Sequence, residues 1–336
     1  MSDLSRLIER PRVPLAHLPT PITPVSWDWG PVRLYLKRDD LTGSGLSGNK
    51  VRKLEYLIAD ARARGCDTLV TCGGIQSNHT RAAAVAATLC GMRSVVVLSG
   101  DEPLELDGNL LLSRLVGADV RIVPAMSSSD RHARMLELAA ELEQQGLRPY
   151  VMPSGGSSEV GALGYCRAVS ELAEQLEADP RGVGCIVHAC GSGGTFAGCH
   201  IGRELAGLAP RHVAVIIEGT VREWRASLVD YVNRTANYWD IDLEADPDAI
   251  ALLDGAGRGY AVNTDEEMDF LVRFARVTGI FLDPVYTGKA LYALDREVRR
   301  GTFDPGGHVL FIHTGGMYGL FPLRRRLMDS MKRSGG

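Results

Sequence analysis

The feature that most constrains the fold is the alternation, from about residue 50 onward, of short β-branched apolar runs with longer amphipathic segments. The runs are DTLVTC (67–72), SVVVLSG (94–100), VRIVPA (120–125), PYVMPS (149–154), CIVHAC (185–190), HVAVIIEG (212–219), GIFLD (279–283) and HVLFIHTGG (308–316). Helical periodicity predicts helices over 51–63, 77–90, 129–145, 158–177 and 264–277. Nearly continuous apolar strands separated by helices are typical of parallel sheets covered on both faces. The sequence therefore predicts an α/β protein with mostly parallel sheets.

Length and charge restrict the functional classes. A chain of 336 residues is long enough for two domains or one large α/β unit. We expect the chain to pass between domains near MPSGGSSEVG (152–161). The formal net charge of −4 gives no basic surface for nucleic acid. The apolar runs are too short to cross a bilayer, so we expect no membrane partner.

The cysteines and the N-terminus bear on location. Seven cysteines, an odd number, lie mostly in apolar stretches, which suits buried, reduced thiols. The first twenty residues contain no apolar segment of the signal-peptide type, so we expect a cytoplasmic protein. No CxxC pair occurs, and Cys190, Cys199 and His200 lack a second ligand pair. We therefore expect no metal site.

Ligands of such folds bind where strands turn into helices. One of these turns, ACGSGGTFAG (189–198), is rich in glycine. Gly191, Gly193 and Gly194 let the backbone approach an anion closely, and Ser192 and Thr195 add hydroxyl groups. A dinucleotide fingerprint fails because Phe196 occupies its third glycine position, and neither a Walker A sequence nor a nucleophile elbow is present. The turn predicts a phosphate cradle for a cofactor that is not a dinucleotide, with a plain glycine turn as the alternative.

Two further turns, CGGIQSNHTR (72–81) and DPVYTGKA (283–290), carry weaker signals. Ser77 and Asn78 are natural helix caps, and the amides beside them also suit a substrate carboxylate. His79 and Tyr286 each have an ordinary structural interpretation, as a cap-region residue and a packing residue. Lys289 is interpreted as a solvated helix charge.

Lys50 stands where the loop SGLSGNK (44–50) meets a helix. An amine enclosed beside a phosphate cradle is what a cofactor with an aldehyde requires, since burial lowers the pKa of a lysine and makes it nucleophilic. Pyridoxal phosphate fits this pattern, with its phosphate on 191–195 and its aldehyde on Lys50.

Five segments in one order strengthen this interpretation. KRDDLTGSGLSGNKVRKLEYL, GGIQSNHTR, GSGGTFAG, DPVYTGKA and HTGG together resemble the D-cysteine desulfhydrase and 1-aminocyclopropane-1-carboxylate (ACC) deaminase family. The likeness extends from LPTPITP to HTGG. It implies the fold type II architecture of tryptophan-synthase-β-like enzymes, with two open α/β domains and pyridoxal phosphate between them. The implied division is a large domain of 1–51 with 161–336 and a small domain of 52–160.

The resemblance also implies roles for individual residues. Lys50 is similar to the lysine that carries the cofactor, and Lys53 to a second lysine that reaches the phosphate. Ser77 and Asn78, with His79 beside them, match residues that contact the substrate carboxylate or the cofactor's phenolic oxygen. Tyr286 matches a tyrosine that faces the substrate. The positions implied for the cofactor are Lys50, Lys53, Asn78, Gly191, Ser192, Gly193, Gly194, Thr195, Thr287 and Thr314.

Substrate choice depends on three positions. ACC deaminases resemble one another in having Gln, Glu and Leu where this chain has His79, Thr287 and Thr314. The three residues favour a desulfhydrase, while L-cysteate sulfo-lyases are close relatives. Met317 and Tyr318 depart from the Ala-Pro that usually follows HTGG, and Phe196 stands where Gln is common.

We therefore expect a β-elimination lyase that releases pyruvate, ammonia and hydrogen sulfide from D-cysteine. Lys50 removes the α-proton, Tyr286 and Ser77 assist, and Thr287 or Thr314 offers a hydroxyl near the pyridine nitrogen. The alternatives are L-cysteate sulfo-lyase and ACC deaminase. From other classes, a dinucleotide oxidoreductase is disfavoured by the broken fingerprint, and a non-catalytic binding protein for amino acids or pyridoxal phosphate is disfavoured by Lys50 and Tyr286. The expected partners are a small amino-acid substrate and a second copy of the chain in a homodimer.

Overall fold

The computed structural model describes residues 2–179 and 181–333. Within them, ten strands form a six-stranded sheet in the order β1-β2-β10-β7-β8-β9 and a four-stranded sheet in the order β5-β4-β3-β6. The strands are β1 (Ile22–Trp29), β2 (Val32–Lys37), β3 (Thr68–Gly74), β4 (Arg93–Ser99), β5 (Asp119–Val123), β6 (Pro149–Val151), β7 (Val183–Cys190), β8 (Arg211–Ile216), β9 (Ala251–Asp254) and β10 (His308–Ile312). Only the β1–β2 pair is antiparallel among these strands. The predicted α/β class with two open, mostly parallel sheets is confirmed.

Helices follow most strands. They are α1 (Asp3–Ile8), α2 (Asn49–Ala63), α3 (Asn78–Leu89), α4 (Gly108–Leu115), α5 (Ser128–Gln144), α6 (Glu159–Ala178), α7 (Gly194–Ala206), α8 (Val221–Tyr238), α9 (Asp265–Thr278), α10 (Thr287–Arg300) and α11 (Arg324–Arg333). The five helices expected from periodicity lie within two residues of their predicted ends. Among the described helices, none combines the length and the apolar character that a membrane crossing requires.

The four-stranded sheet is built from strands between residues 68 and 151, and the six-stranded sheet from strands at 22–37 and 183–312. Each sheet is packed between helices, so the central strands are apolar on both faces. The fully buried β4 run Val95–Leu98 is an example. The expected domain boundaries at 51/52 and 160/161 stay predictions.

One sequence-based assignment differs from the structure, and two elements of the structure lie where no element was predicted from the sequence. GIFLD (279–283) is not a strand, because Asp283 turns back to accept the backbone N–H groups of Val285, Tyr286 and Thr287. The β1–β2 hairpin was not expected, since it precedes the region of regular alternation. The aromatic segment at 218–240 forms α8, which begins with a capping box of Thr220 and Glu223.

A buried charge cluster fixes the start of α2. The Arg52 guanidinium contacts the Asp39 carboxylate at 2.8 Å and the Glu171 carboxylate at 3.0 Å. Lys37 also contacts Glu171, and the Tyr165 hydroxyl donates to Asp39 at 2.6 Å. These contacts hold Arg52, and therefore its neighbours in the first turn of α2, against β2 and α6.

Candidate active site

A cleft of about 790 Å³ lies at the carboxyl ends of strands from both sheets. It is lined by most of the residues that the sequence predicted as site residues: Lys50, Ser77, Asn78, His79, Gly191, Ser192, Gly193, Thr195, Tyr286 and Thr314. A location beyond the carboxyl ends of parallel strands is where open α/β sheets bind ligands. The individual roles of these residues stay predictions.

Lys50 lies in the first turn of α2 and lines the cleft. Burial lowers the pKa of its amine to about 8, although the nearby Cys190 and Asp283 act in the opposite direction. The turn is held in place by the Asn49 backbone N–H, which donates to the Thr314 carbonyl at 3.1 Å. Near neutral pH about a tenth of an amine with this pKa is uncharged, far more than for an ordinary lysine, and this form can act as a nucleophile or base.

The glycine turn between β7 and α7 forms an open cradle. Gly193 is the N-cap of α7 with a left-handed backbone (φ +78°), and no side chain caps the helix. The first N–H groups of α7 are therefore free to bind an anion. The cradle is braced by the Asn49 amide, which donates to the Thr195 hydroxyl at 2.9 Å, and by the Ser157 hydroxyl, which donates to Ser192 at 2.8 Å.

Lys53 lies one turn after Lys50 and is fully buried. Its amine donates to the Gly155 carbonyl at 3.3 Å. A Cβ added to Gly194 would stand 2.7 Å from this amine, so the lysine lies directly against the cradle. Burial and the charge of Lys50 hold the pKa of Lys53 well below its usual value. An anion bound in the cradle would provide the missing counter-charge.

Ser77 and Asn78 lie at the start of α3. The Ser77 hydroxyl accepts the Thr80 N–H at 3.3 Å, and the Asn78 side-chain oxygen accepts from Asn109 at 2.9 Å. His79 lies deeper, with Nε2 at 2.9 Å from the Thr71 hydroxyl, and its Nδ1 is buried without a hydrogen-bond partner among the described residues. Burial, with Lys50 and Lys53 nearby, holds the His79 pKa well below its usual value, so the ring is neutral.

Tyr286 faces the cleft immediately before α10. Its hydroxyl oxygen lies 2.9 Å from that of Tyr260, and the two rings meet edge to face. Desolvation within the cleft raises the pKa of both phenols, although Tyr260 is 38% exposed, so both stay protonated at neutral pH. Tyr260 was missed by sequence reasoning because it lies in the loop GAGRGYAVN (255–263), which carries no recognisable signal.

Thr287 and Thr314 have different surroundings. Thr314 lines the cleft, whereas Thr287 is fully buried. The Thr287 hydroxyl donates to the Asp283 carboxylate at 2.7 Å and accepts the Asp283 N–H at 2.8 Å. Burial raises the pKa of Asp283, although four donors from 285–287 stabilise its charge. In this arrangement Thr314 is the better placed of the two threonines to offer a free hydroxyl to a ligand.

The interpretation of Lys289 is wrong, and the two departures from the family pattern, at Phe196 and Tyr318, have different surroundings. Lys289 is not a solvated charge: it is buried, and its amine donates to the carbonyls of Ala256 and Gly259 at 2.8 and 2.6 Å. Phe196 lines the cleft, and its buried ring stacks on His212 at 4.7 Å between centroids. Tyr318 donates to the Ser44 carbonyl at 2.8 Å and is not among the residues that line the cleft.

Three buried side chains behind the cradle, His188, Cys199 and His212, have potential ligand atoms within 4.8 Å of one another. His188 and His212 are hydrogen-bonded to each other through their Nε2 atoms at 2.9 Å, and His188 Nδ1 lies 2.9 Å from the Ala189 carbonyl. Burial lowers the pKa of His188 to about 4 and raises that of Cys199, so all three groups are neutral. A hydrogen-bonded imidazole pair accounts for this geometry, and the expectation of no metal stays a prediction.

The cleft fits pyridoxal phosphate. The Lys50 amine can hold the aldehyde, and the N–H groups of 191–195 with Lys53 can hold the phosphate. A Cβ at Gly194 would also stand 2.7 Å from the Ser157 hydroxyl, so a side chain there would fill the cradle. The donors, the cationic neighbour and the uncapped helix are the set that a phosphate requires.

Comparison with known proteins places the chain in a family. Residues 13–315 match the family described as pyridoxal-phosphate dependent enzyme. The chain is 42% identical over 325 residues to the bifunctional D-cysteine desulfhydrase/1-aminocyclopropane-1-carboxylate deaminase, mitochondrial, of Arabidopsis thaliana, which covers 91% of this chain and 78% of that protein. It is 38% identical over 322 residues to a putative ACC deaminase of Pyrococcus abyssi, and the match covers 95% of this chain and 96% of that protein.

Solved structures agree. The crystal structure of an ACC deaminase homologue superposes with a TM-score of 0.89 at 37% identity, covering 98% of this chain and 99% of that one. The crystal structure of O-ureido-L-serine synthase shares the fold, with a TM-score of 0.65 at 19% identity. The superposition covers 95% of this chain and 93% of that one. The chain therefore belongs to the ACC deaminase/D-cysteine desulfhydrase family of fold type II, pyridoxal-phosphate-dependent enzymes.

Proposed function

We propose that the protein is a carbon–sulfur lyase that eliminates the β-substituent of a small amino acid, with D-cysteine as its substrate. The observation that carries this proposal is the pairing of one nucleophilic lysine, Lys50, with the hydrogen-bonded phenols of Tyr260 and Tyr286 in a single cleft. The reaction converts D-cysteine and water into pyruvate, ammonia and hydrogen sulfide.

Pyridoxal phosphate, when bound, supplies an electron-withdrawing system that lets the α-carbon lose its proton. The free amine of Lys50 takes that proton, for which a pKa of about 8 is well suited. Tyr286 and Tyr260, protonated at neutral pH, can donate a proton to the departing sulfur. The N-terminus of α3, with Ser77 and Asn78, binds the substrate carboxylate.

The same residues favour elimination over opening of a cyclopropane ring. A ring substrate has no leaving group on its β-carbon, so it needs stronger electron withdrawal, which a carboxylate beside the pyridine nitrogen would supply. Position 287 is a threonine whose hydroxyl proton is engaged by Asp283. Position 314 is a threonine that leaves a polar, compact space in the cleft. Both features fit a substrate that already carries a good leaving group.

A panel of three substrates tests the proposal. D-Cysteine should yield pyruvate and sulfide in equal amounts, whereas the cyclopropane acid should yield no 2-oxobutanoate. Pyruvate and sulfite from L-cysteate, at a higher rate than from D-cysteine, would favour the sulfo-lyase alternative. Efficient release of 2-oxobutanoate would overturn the desulfhydrase assignment, and no product from any of the three would favour a binding protein.

We further propose that the enzyme acts as a cytoplasmic homodimer. All seven cysteines are free in the structure, which suits a reducing compartment. Light scattering on the purified protein should give a mass of about twice 36.3 kDa, and a monomeric mass would refute the dimer.

A further inference from the structure

Two charged side chains that the proposed chemistry does not use line the same cleft. Arg131 lies in the first turn of α5, which packs on the four-stranded sheet, and Glu218 follows β8 of the six-stranded sheet. Trp224 lies beside them, and its indole N–H donates to the Glu218 carbonyl at 2.7 Å. A cation and an anion therefore face one cavity from different sheets.

Neither charge is held by a direct ion pair among the described residues. Burial raises the pKa of the Glu218 carboxyl, although Arg131 and Lys289 lie near enough to act in the opposite direction. The Arg131 side chain also acts on the Cys72 thiol, whose pKa burial raises. The Arg131 Nη1 donates to the Met126 carbonyl at 3.2 Å, but its Nε is buried without a partner among residues 2–179 and 181–333. Within the same residues, the carboxylate of Glu218 has no hydrogen bond or ion pair, and no carboxylate lies within 4.0 Å of the Arg131 guanidinium. A partly buried charge without a counter-ion is costly unless a ligand supplies one.

Arg131 and Glu218 act electrostatically on the phenols of Tyr260 and Tyr286. Arg131 lowers and Glu218 raises the pKa of the Tyr260 phenol, and Glu218 also raises that of Tyr286. The Lys50 amine is instead influenced by Cys190 and Asp283. Arg131 and Glu218 therefore line the same cleft as Tyr260 and Tyr286, the phenols proposed to protonate the departing sulfur, and act on them electrostatically.

We propose that Arg131 and Glu218 bind the far end of the substrate, and that the enzyme prefers a β-substituent ending in a dipolar amino-acid group. The distal carboxylate pairs with the Arg131 guanidinium, and the distal ammonium pairs with the Glu218 carboxylate. A single distal anion would satisfy Arg131 but would be repelled by Glu218, whereas a group with both charges satisfies both side chains. The substrate class is two amino acids joined through sulfur. This inference rests on the proposed β-elimination.

The reaction balances without a further reactant. In the thioether of two alanine units (lanthionine), the Cα–H and Cβ–S bonds of one unit break. The proton passes to Lys50, and sulfur leaves with its electron pair and gains a proton, which gives cysteine. The remaining aminoacrylate takes up one water and becomes pyruvate and ammonia.

A matched series of S-substituted cysteines tests the assignment, each supplied in both configurations. S-Ethylcysteine carries a neutral distal group, S-(2-carboxyethyl)cysteine an anion, S-(2-aminoethyl)cysteine a cation, and lanthionine both. The unmodified holoenzyme should use lanthionine with a kcat/KM on the order of 10- to 100-fold above that of S-ethylcysteine, the size of one or two charge-assisted contacts. The difference should lie mostly in KM. The lanthionine concentration that half-saturates the change in cofactor absorption should show the same preference.

Two variants separate the contacts. Arg131→Gln should lower kcat/KM on the order of 10-fold or more only for the two compounds with a distal carboxylate, S-(2-carboxyethyl)cysteine and lanthionine. Glu218→Gln should do so only for the two compounds with a distal amine, S-(2-aminoethyl)cysteine and lanthionine. Both should keep the S-ethylcysteine rate within about twofold. Arg134→Gln removes a half-exposed arginine of the same helix that pairs with Glu137 and does not line the cleft, and Glu244→Gln changes an exposed carboxylate; both serve as controls.

Three outcomes would overturn the proposal. The unmodified enzyme could show no preference for lanthionine. One variant could lose activity equally on all four compounds. A double-mutant cycle could also show that the effects of Arg131→Gln and Glu218→Gln on kcat/KM for S-ethylcysteine are not additive. Such coupling would mean that Arg131 and Glu218 act on each other across the cleft. Turnover of D-cysteine without the lanthionine preference would refute this inference alone, whereas no pyruvate from any β-substituted amino acid would refute the β-elimination beneath it.

Discussion

The hydroxyl oxygens of Tyr260 and Tyr286 lie 2.9 Å apart, with the two rings edge to face. One of the phenols therefore donates to the other, and the acceptor's own proton is free to point into the cleft. This pair gives the cleft a neutral proton donor close to where the substrate's leaving group would depart.

Removal of either phenol should impair turnover while the cofactor stays bound. We expect Tyr286→Phe, and to a smaller extent Tyr260→Phe, to lower kcat by about 10²–10⁴-fold, which is typical for the loss of an acid–base group. The absorption of the bound cofactor should be unchanged. Tyr238→Phe, at an exposed position on α8, is the control. Turnover of Tyr286→Phe within about twofold of the parent would mean that this ring only packs.

Lys53 should matter for cofactor affinity more than for folding. We expect Lys53→Met to weaken binding of pyridoxal phosphate, because it removes the only lysine amine that the structure places against Gly194 among the described residues. The loss should be at least 10-fold in Kd, measured by fluorescence titration of the cofactor-free protein. Lys289→Met removes another buried lysine, held by two carbonyls away from the cradle, and should leave this Kd unchanged. Equal effects of the two variants would argue against Lys53 as the phosphate ligand.

The reactivity of Lys50 should depend on pH with a midpoint near 8. Burial lowers the Lys50 pKa to about 8, and the uncharged, reactive form is the one present above that pKa. The rate at which cofactor-free protein recombines with pyridoxal phosphate should therefore rise between about pH 7 and 9 and then level off. A rate that keeps rising toward pH 10.5, the ordinary value for a lysine, would show that the amine is not desolvated.

The buried charge cluster should be a stability element. Asp39→Asn leaves the Arg52 guanidinium with Glu171 as its remaining carboxylate partner in a buried position. We expect a loss of about 3–5 kcal/mol in the free energy of unfolding, measured by urea denaturation. Asp242→Asn, at an exposed position, should change it by less than about 0.5 kcal/mol. A loss below about 1 kcal/mol in Asp39→Asn would mean that Arg52 finds other partners.

Much of this fold could be predicted from local pattern. The apolar runs and the periodicity of α2, α3, α5, α6 and α9 locate the central strands and helices, because packing between layers demands that pattern. GIFLD (279–283) has strand composition but forms a turn, since the Asp283 carboxylate captures three backbone N–H groups. Composition cannot reveal such a tertiary arrangement.

The candidate site divides in the same way. The position of Lys50 and the glycine turn at the cleft could be predicted, because glycines at a strand-to-helix turn are visible in the sequence. Their roles toward a cofactor stay predictions. The positions of Tyr260, Arg131 and Glu218 could not be predicted, because each enters the cleft from a segment whose sequence is ordinary. Lys289 was misjudged for a related reason: two backbone carbonyls from a distant loop bury it, and only the folded chain brings them together.

The central claim is that Lys50 holds the cofactor and moves the α-proton. Its most direct test is borohydride reduction of the holoenzyme, followed by peptide mapping and an assay of pyruvate from D-cysteine. The account predicts that the reduced pyridoxyl group lies on Lys50 alone and that pyruvate formation is lost in step with the labelling. Labelling of Lys53, of Lys289 or of no lysine, or full pyruvate formation by protein labelled at Lys50, would contradict it.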